Sequence, residues 1–301
     1  MLSLQTIHNY YQISEDFCLE TMLAELLQVV HIEAPHLESL FDVFANEARF
    51  GWRWLQEDLK ELSKGSNVLE VGAGLMLLSC QLVRAGFKVT AVEPFGEGFS
   101  VFSSLQLLIL KYAKEKGYLP TIISLPIEAL TINNTFNFAY SVNVMEHVED
   151  VPLAICNITH ALVPGASYRF ICANYSFPYE PHFDIPTLFS KNWTKRAFAK
   201  KIASNRRVGD PEAVWNSLNW ISVRLVAKTV RSIPGLTVEF NRSILQDTLL
   251  RVGADPIFSA RRSPFIRKLI SFAIFFKLHR LSVLIPAIAL PLMDCKIIRN
   301  R

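Results

Sequence analysis

The sequence predicts an α/β fold built on a doubly wound, mostly parallel sheet. The first observation is an apolar strand at 67–71 that ends in a Gly-x-Gly turn, Gly72 and Gly74. The second is another apolar strand at 88–92, followed by Glu93 nineteen residues after Gly74. Such glycines let a ligand approach the backbone, and the acid can accept hydrogen bonds from ribose hydroxyls. A glycine pair after a strand can also be a simple tight turn, but the acid at this spacing favours nucleoside binding.

Strands and helices alternate along the central part of the chain. Apolar residues recur at helical spacing between 14 and 63, before the first strand. The pattern then predicts strands at 67–71, 88–92, 121–124, 136–142 and 167–173, separated by helices near 76–86, 98–117 and 150–163. A helix at 211–232 and strands at 236–241 and 294–299 follow the irregular, proline-rich segment 175–207. Strands that alternate with helices indicate a parallel, doubly wound sheet.

The glycine turn lacks the features of a pyrophosphate site. A dinucleotide-binding turn carries a third glycine, and Leu77 occupies that position here. A phosphate-binding loop that ends in Gly-Lys-Ser/Thr is also absent from the sequence. The remaining type of ligand has a ribose and an apolar or zwitterionic arm, which fits S-adenosylmethionine.

A second motif lies downstream, where residues 136–150 read FNFAYSVNVMEHVED. Together with LEVGAG at 69–74, this segment resembles the class I, Rossmann-like methyltransferases that use S-adenosylmethionine. In that family the first strand reads Leu-Glu-Val-Gly-x-Gly, and the fourth carries Phe-Asp-x-x-x-Ser-x-x-x-x-Glu-His-Val. The Val-Pro-Gly-Ala run at 163–166 matches the turn before the family's fifth strand. The resemblance covers residues 45–174 and implies a seven-stranded sheet.

The resemblance also implies how the cofactor is held. Glu70, Gly72 and Gly74 would lie beneath the methionine arm, with Glu70 near the ammonium group, and Glu93 would bind the ribose diol. The sequence departs from the family pattern at Asn137, where the family usually has Asp. The segment after the third strand lacks the acid expected near the adenine amino group, so Glu128 is the nearest candidate.

The expected organisation has four parts. Residues 1–63 form an N-terminal helical cap, and 64–174 form the core that binds S-adenosylmethionine. Residues 175–234 form a substrate-side insertion with a helix. Residues 235–301 contribute C-terminal strands and an apolar tail that complete the core.

Composition indicates a globular chain. Its 301 residues are 50% hydrophobic and 19% charged, with a net charge of +4, which suits one α/β domain with an insertion or two small domains. The most basic runs, at 195–201 and 206–207, fit solvated helix faces, so no nucleic-acid partner is expected. Five scattered cysteines without a Cys-x-x-Cys pair, and an N-terminus without signal-peptide features, favour a cytoplasmic location without a zinc site.

Candidate catalytic residues follow the fourth strand, because a parallel sheet binds ligands at the carboxyl ends of its strands. The residues expected to face the transferring methyl group at this end are Ser141, Asn143, Glu146 and His147, and the first two are expected to bind the cofactor. A histidine can act as a base near neutral pH, so His147 is one candidate base. A structural role for His147, hydrogen-bonding the turn, is the alternative.

The loop at 174–186 is a second source of chemistry, since loops at the carboxyl ends of strands carry substrate. It holds His182, the other candidate base, together with possible substrate ligands at Tyr179, Glu180 and Asp184. Its prolines favour a pre-ordered loop. Glu180, His182 and Asp184 could also bind a metal such as Mg²⁺, but histidine is a poor Mg²⁺ ligand, so no metal is expected. A rigid lid with satisfied polar groups is the structural alternative.

The motifs together predict methyl transfer from S-adenosylmethionine to a small-molecule, sugar or lipid-linked acceptor. Oxygen is the expected methyl acceptor because the family includes ubiquinone-pathway O-methyltransferases and enzymes that modify sugars or natural products. Two alternatives stay open: a non-catalytic partner protein that binds S-adenosylmethionine, and a nicotinamide-dependent dehydrogenase. Leu77 argues against the dehydrogenase, and the loop that carries His and Glu argues against a non-catalytic role.

The C-terminal tail, residues 265–293, is unusually apolar. Its longest uncharged run has thirteen residues, fewer than the roughly twenty that a membrane-spanning helix needs. The tail could pack against the sheet edge or against a second subunit in a homodimer. It could instead lie on a membrane surface, with cations near anionic headgroups. Those cations are Arg267, Lys268, Lys277 and Arg280.

Overall fold

The fold is known from a computed structural model that describes residues 18–94, 100–205, 210–254, 256–260 and 264–301. Its strands are β1 (Asn67–Val71), β2 (Lys88–Val92), β3 (Thr121–Ile123), β4 (Phe136–Val142), β5 (Leu162–Ala173), β6 (Tyr179–Glu180), β7 (Ile185–Pro186), β8 (Leu236–Asn241) and β9 (Leu292–Arg299). Seven strands form one sheet in the order β3-β2-β1-β4-β5-β9-β8, while β6 and β7 pair separately. The predicted α/β fold with a mostly parallel, seven-stranded sheet is therefore confirmed.

Eleven α-helices among the described residues precede, separate or follow these strands along the chain. They are α1 (Leu19–Glu33), α2 (Glu38–Lys60), α3 (Leu77–Arg84), α4 (Ser100–Glu115), α5 (Val151–Ala161), α6 (Lys191–Ala203), α7 (Pro211–Ser217), α8 (Val223–Ser232), α9 (Ile244–Ala254), α10 (Pro256–Ala260) and α11 (Pro264–Phe275). Short 3-10 helices occur at Pro35–Leu37, Ile127–Ala129, Leu278–Leu284 and Ala287–Ala289. No helix among the described residues combines the length and the apolar character needed to cross a membrane.

The chain divides into two compact units. The first comprises Met1–Ser66, Gly74–Val89 and Phe102–Thr121, and the second comprises Asn67–Ala73, Thr90–Val101 and Ile122–Arg301. The predicted four-part division stays a prediction.

Within the first unit, helices α1 to α3 pack through the apolar positions that the sequence pattern identified. Met22 and Leu26 on α1 are buried. A Cβ added at Gly51 of α2 would lie 2.5 Å from Leu78 of α3, so the absence of a side chain allows these two helices to approach closely. The helical region expected between 14 and 63 thus contains two helices, and the part before residue 18 lies outside the described residues.

Within the second unit, β9 reverses the direction of an otherwise parallel sheet. It pairs antiparallel with both β5 and β8. Arg169 on β5 donates two hydrogen bonds to the Asp294 carboxylate on β9, at 3.0 and 2.7 Å. Asn241 on β8 donates to the same carboxylate at 2.9 Å. Because a buried carboxylate needs charged or polar partners, these contacts tie the last strand of the chain between β5 and β8.

The sequence pattern was wrong about two element boundaries. Strand β5 begins at Leu162, five residues before the predicted start at 167. The helix predicted at 211–232 is two helices, α7 and α8. Asn219 lies between them, and its side chain forms hydrogen bonds with a different segment of the chain. Its side chain donates to the carbonyl groups of Met145 and Val148, at 2.7 and 2.8 Å.

The insertion after β5 is more regular than the sequence suggested. It contains the β6–β7 hairpin and helix α6. A small apolar core, separate from that of the sheet, supports it. This core consists of Phe183, Ile185, Ile202, Trp215 and Leu218.

Candidate functional site

The turn after β1 has the backbone conformation that glycine permits. Gly72 and Gly74 have φ angles of 68° and 51°, and Met76, just before α3, has 60°. The amide of Gly72 donates to the carbonyl of Val92 at 2.8 Å, which joins the ends of β1 and β2. A Cβ added at Gly72 would lie 2.3 Å from a methyl of Val144. The first glycine is therefore required by a protein contact as well as by its φ angle.

The other predicted cofactor residues around this turn differ in exposure. Apart from Gly74 itself and its two chain neighbours, no described residue has an atom within 4 Å of a Cβ added at Gly74. Glu70 is buried near the end of β1, opposite Tyr140 of β4. Glu93 follows β2 directly, is half-buried, and donates its amide hydrogen to the Ile123 carbonyl at 3.1 Å. The cofactor roles of these residues stay predictions.

Two predicted cofactor residues are used inside the protein. The Ser141 hydroxyl is buried and lies 2.7 Å from the hydroxyl of Tyr168. The Glu128 carboxylate accepts hydrogen bonds from the amides of Glu149 and Asp150, at 2.7 and 3.3 Å. Ser141 thus stabilises the sheet, and Glu128 stabilises the segment that precedes α5.

Three side chains converge beyond the carboxyl end of β4. One donor atom each of Glu146, His147 and His182 lies within 4.8 Å of the other two. The ring centroids of the two histidines are 5.3 Å apart in an edge-to-face arrangement. This Glu-His-His cluster combines His147 and His182, the two histidines predicted from separate segments. The sequence placed Glu146 with His147 at the methyl-facing end of β4 but gave Glu146 no catalytic role.

The insertion loop orients His182 through a carboxylate. Nδ1 of His182 lies 2.6 Å from Oε1 of Glu180, whose side chain is fully buried. Burial lowers the pKa of His182, but the hydrogen bond and charge of Glu180 outweigh burial and raise it. Burial raises the pKa of Glu180, but its bond to His182 and the backbone amides of Phe183 and His182 bring it below its usual value. The two side chains act as a carboxylate–imidazole pair.

His147 has a different environment. Its Nδ1 lies 2.8 Å from the hydroxyl of Ser217 at the end of α7. Burial, reinforced by the nearby charge of His182, lowers its pKa to about 4. His147 is therefore neutral at physiological pH and is a weaker base than His182. This contact joins the ring to α7 and not to its own turn, so the structural role predicted for His147, hydrogen-bonding the turn, stays a prediction.

Glu146 is the most deeply buried member of the cluster, at 1% exposure. Its Oε2 has no hydrogen-bond partner among the described residues. Burial raises its pKa to about 7, although the charge of His182 opposes this effect. A buried carboxylate without a partner for one oxygen is costly, so this atom is available to a proton or a cation.

The turn that carries Glu146 and His147 is held by Asn219, a residue that the sequence analysis missed. Besides the two side-chain bonds to the turn, the amide of Asn219 donates to the Glu146 carbonyl at 2.8 Å. Asn143 opens the turn with a φ of 55°, and its amide donates to the Ile171 carbonyl. A lone Asn between two helices carries no sequence signal for this role.

The loop residues do not form the metal set considered from the sequence. The Asp184 carboxylate is exposed and accepts a hydrogen bond from the Tyr179 hydroxyl at 2.6 Å. Glu180 binds His182 and the Tyr175 hydroxyl instead. His182 is brought together with Glu146 and His147 rather than with Asp184.

Comparison with known proteins identifies a full-length relative and a shared fold. No family model matches the chain. The uncharacterised protein Rv1509 of Mycobacterium tuberculosis is 42% identical over 283 residues, which cover 94% of this chain and 96% of the relative. Ubiquinone biosynthesis O-methyltransferase of Rickettsia canadensis is 30% identical over 98 residues, or 33% of this chain and 39% of that enzyme.

Among solved structures, phosphoethanolamine N-methyltransferase 2 of Haemonchus contortus superposes with a TM-score of 0.50 at 15% identity. The match covers 92% of this chain and 60% of that one, so this chain spans about three fifths of that enzyme's length. That structure holds phosphomonomethylethanolamine and S-adenosylhomocysteine. The expected Rossmann-like methyltransferase fold is confirmed.

The pKa values of the two histidines should be shifted in opposite directions from the ordinary histidine value of about 6.5. NMR spectra of the ring protons, recorded as a function of pH, measure both pKa values. The His147 ring should stay neutral until the pH falls to about 4, and the His182 ring should have a pKa above the ordinary histidine value. Glu180→Gln should lower the pKa of His182, because it removes the charge and the acceptor. Glu149→Gln, an exposed acid nearby, should leave it unchanged. A His147 ring that is protonated at pH 6 would contradict the assigned environment.

Proposed function

We propose that this protein, which belongs to one family with the Mycobacterium tuberculosis protein Rv1509 and has the class I methyltransferase fold, is an S-adenosylmethionine-dependent methyltransferase. The observation that carries the proposal lies in the second unit, where β1 and β4 are adjacent and parallel. Their carboxyl ends therefore meet at one edge of the sheet. β1 ends in the Gly72 turn and β4 ends in the Glu-His-His cluster, so a nucleoside-type turn and a proton-accepting cluster share that edge.

The relatives support this assignment of activity and cofactor. The Rickettsia enzyme that matches a third of the chain is an O-methyltransferase, and the structural neighbour binds S-adenosylhomocysteine. An acceptor oxygen agrees with the first relative, while the neighbour is an N-methyltransferase. Oxygen is our choice because a hydroxyl must lose a proton, and the cluster contains a residue suited to remove it.

The reaction is a direct displacement. The acceptor oxygen forms a bond to the methyl carbon while the carbon–sulfur bond breaks, and the electron pair of that bond goes to sulfur. The proton of the acceptor hydroxyl goes to Nε2 of His182, and Glu180 at Nδ1 stabilises the resulting imidazolium. His147, with its depressed pKa, positions the acceptor rather than taking the proton.

The cofactor assignment predicts a loss of affinity when Glu93 is truncated. Glu93→Ala should weaken binding of S-adenosylhomocysteine by about 1–3 kcal/mol, because the ribose diol loses its acceptor. Isothermal titration calorimetry measures the change. Glu61→Ala, an exposed acid after α2, is the control and should bind normally. If wild-type protein binds neither S-adenosylmethionine nor its demethylated product, the proposed activity is wrong.

The base assignment predicts a separate effect on turnover. His182→Gln should lower transfer of labelled methyl groups from S-adenosylmethionine into a cell extract by roughly 10²–10⁴-fold, while affinity for S-adenosylhomocysteine stays unchanged. His147→Gln should have a smaller effect, and the exposed His36→Gln is the control. Wild-type turnover in both cluster variants would place proton removal elsewhere. Cofactor binding without any methyl transfer would favour the non-catalytic alternative.

A lipid-linked acceptor and contact with a membrane surface are supported by the tail. Helix α11 contains no buried residue, which supports contact with a membrane surface. Phe265, Leu269 and Phe272 are exposed at helical spacing. From residue 256 to 293 the sequence has no Asp or Glu. An exposed apolar helix with only basic charges suits anionic lipid headgroups.

A cavity of about 470 Å³ connects this tail with the insertion loop. It is lined by Ser176, Phe177, Pro178, Arg224, Ile288 and Ala289. The first three belong to the loop that also carries His182, and the last two belong to the tail. A lipid-linked acceptor held by the tail would therefore reach the loop directly.

Flotation with vesicles of phosphatidylcholine and phosphatidylglycerol tests the membrane contact. Wild-type protein should float at low salt, and Phe275→Ser and Lys268→Glu should each weaken binding, the latter by about 1 kcal/mol or more. Ile32→Ser is the matched control, because Ile32 and Phe275 are 78% and 79% exposed. A protein that does not float but forms a stable dimer in analytical ultracentrifugation would show that a second subunit covers the tail.

A further inference from the structure

We propose that Glu146, His147 and His182 form a binding site for a divalent transition-metal ion. The inference concerns the same cluster as the proposed function, but metal binding does not require S-adenosylmethionine. It is carried by the geometry of the three side chains, by the contacts that orient them, and by an unsatisfied carboxylate oxygen.

The geometry brings three metal-binding side chains around one point. Their donor atoms lie within 4.8 Å of one another. Two donors on opposite sides of an ion, each bound at about 2.1 Å, are about 4.2 Å apart, and adjacent donors are closer. Donors at the 4.8 Å limit must therefore move closer together to bind one ion.

The hydrogen bonds of the histidines leave the same ring atom available in each. His147 uses Nδ1 toward Ser217, and His182 uses Nδ1 toward Glu180. In both rings these bonds leave Nε2 for a ligand. A metal-binding histidine commonly donates its other nitrogen to a carboxylate or a similar acceptor, which fixes the tautomer and the ring orientation. The Glu180–His182 pair has this arrangement.

Glu146 has a carboxylate oxygen that a cation could satisfy. Oε2 of Glu146 is buried and has no hydrogen-bond partner in the described part of the chain. Leaving a carboxylate oxygen unsatisfied in the interior costs free energy, and a bound cation removes that cost.

The type of ion follows from the donors. Two imidazoles and one carboxylate suit Zn²⁺, Mn²⁺, Fe²⁺ or Co²⁺ better than Mg²⁺ or Ca²⁺, which prefer oxygen ligands. Three protein donors leave coordination positions for an acceptor hydroxyl. If the proposed methyl transfer is correct, an ion there lowers the pKa of that hydroxyl. His182 would then act as a ligand, and the ion would replace its role as the base.

Binding of Co²⁺ to chelator-treated, full-length protein tests the site through the visible absorption of the ion. Wild-type protein should bind one Co²⁺ per chain with a low-coordinate spectrum, and Zn²⁺ should displace it. Glu146→Gln and His182→Gln should each weaken Co²⁺ binding at least tenfold. Glu180→Gln should weaken it by about 10–100-fold, because His182 loses the group that orients it.

Matched controls separate this site from surface binding. Glu149→Gln and His36→Gln change exposed residues of the same types and should bind Co²⁺ as the wild type does. Circular dichroism and thermal unfolding establish that each variant is folded. Wild-type protein that binds no Co²⁺ or Zn²⁺ at 1 mM would overturn the proposal, as would binding that persists in folded Glu146→Gln and His182→Gln. Calorimetry with S-adenosylhomocysteine on the same samples tests the proposed activity separately.

Discussion

The close contact between Gly72 and Val144 is the constraint on which the candidate site depends. A methyl group of Val144 occupies the space where any other residue at position 72 would place its Cβ. The turn after β4 can therefore lie directly against the turn after β1. Adjacent parallel strands bring their ends to one edge of a sheet. The two turns at that edge can come this close only because residue 72 has no side chain. The glycine that suggests a nucleoside ligand in the sequence also positions Glu146 and His147.

The pKa shifts in the cluster depend on the segment of the chain that carries each residue. Glu146 and His147 come from a buried turn held by Asn219, so burial dominates and each favours its neutral form. His182 comes from the insertion and brings Glu180 with it, so its pKa moves in the opposite direction. The rings of the two histidines lie 5.3 Å apart, and their pKa values move in opposite directions from the ordinary value. One fold element supplies a ring whose pKa is lowered, and the other supplies a ring whose pKa is raised.

The sequence predicted the part of the structure that repeats a periodic pattern. Strands β1, β2 and β4, the glycine turn and both histidines could be found from apolar alternation and motif spacing. Their association could not, because the cluster joins residues 35 positions apart through Asn219 and a small core around Trp215. Ser141 matches the family pattern in position and Glu128 lies near the expected position, yet both form hydrogen bonds to other residues of the chain. A motif specifies residue types, whereas their orientation depends on neighbours from other segments.

Asn174 shows how the tail and the insertion loop depend on each other. It is buried directly after β5, and its side-chain amide donates to the Leu290 carbonyl of the tail at 2.7 Å. Its side-chain oxygen accepts from the amide of Ser176 in the loop at 3.1 Å. One side chain therefore links the segment proposed to contact lipid with the loop that leads to Glu180 and His182. Such buried hydrogen bonds are costly to break, so a displacement of the tail would change the position of the loop. An acceptor held at a membrane surface would therefore meet His182 in a geometry that depends on how the tail contacts that surface.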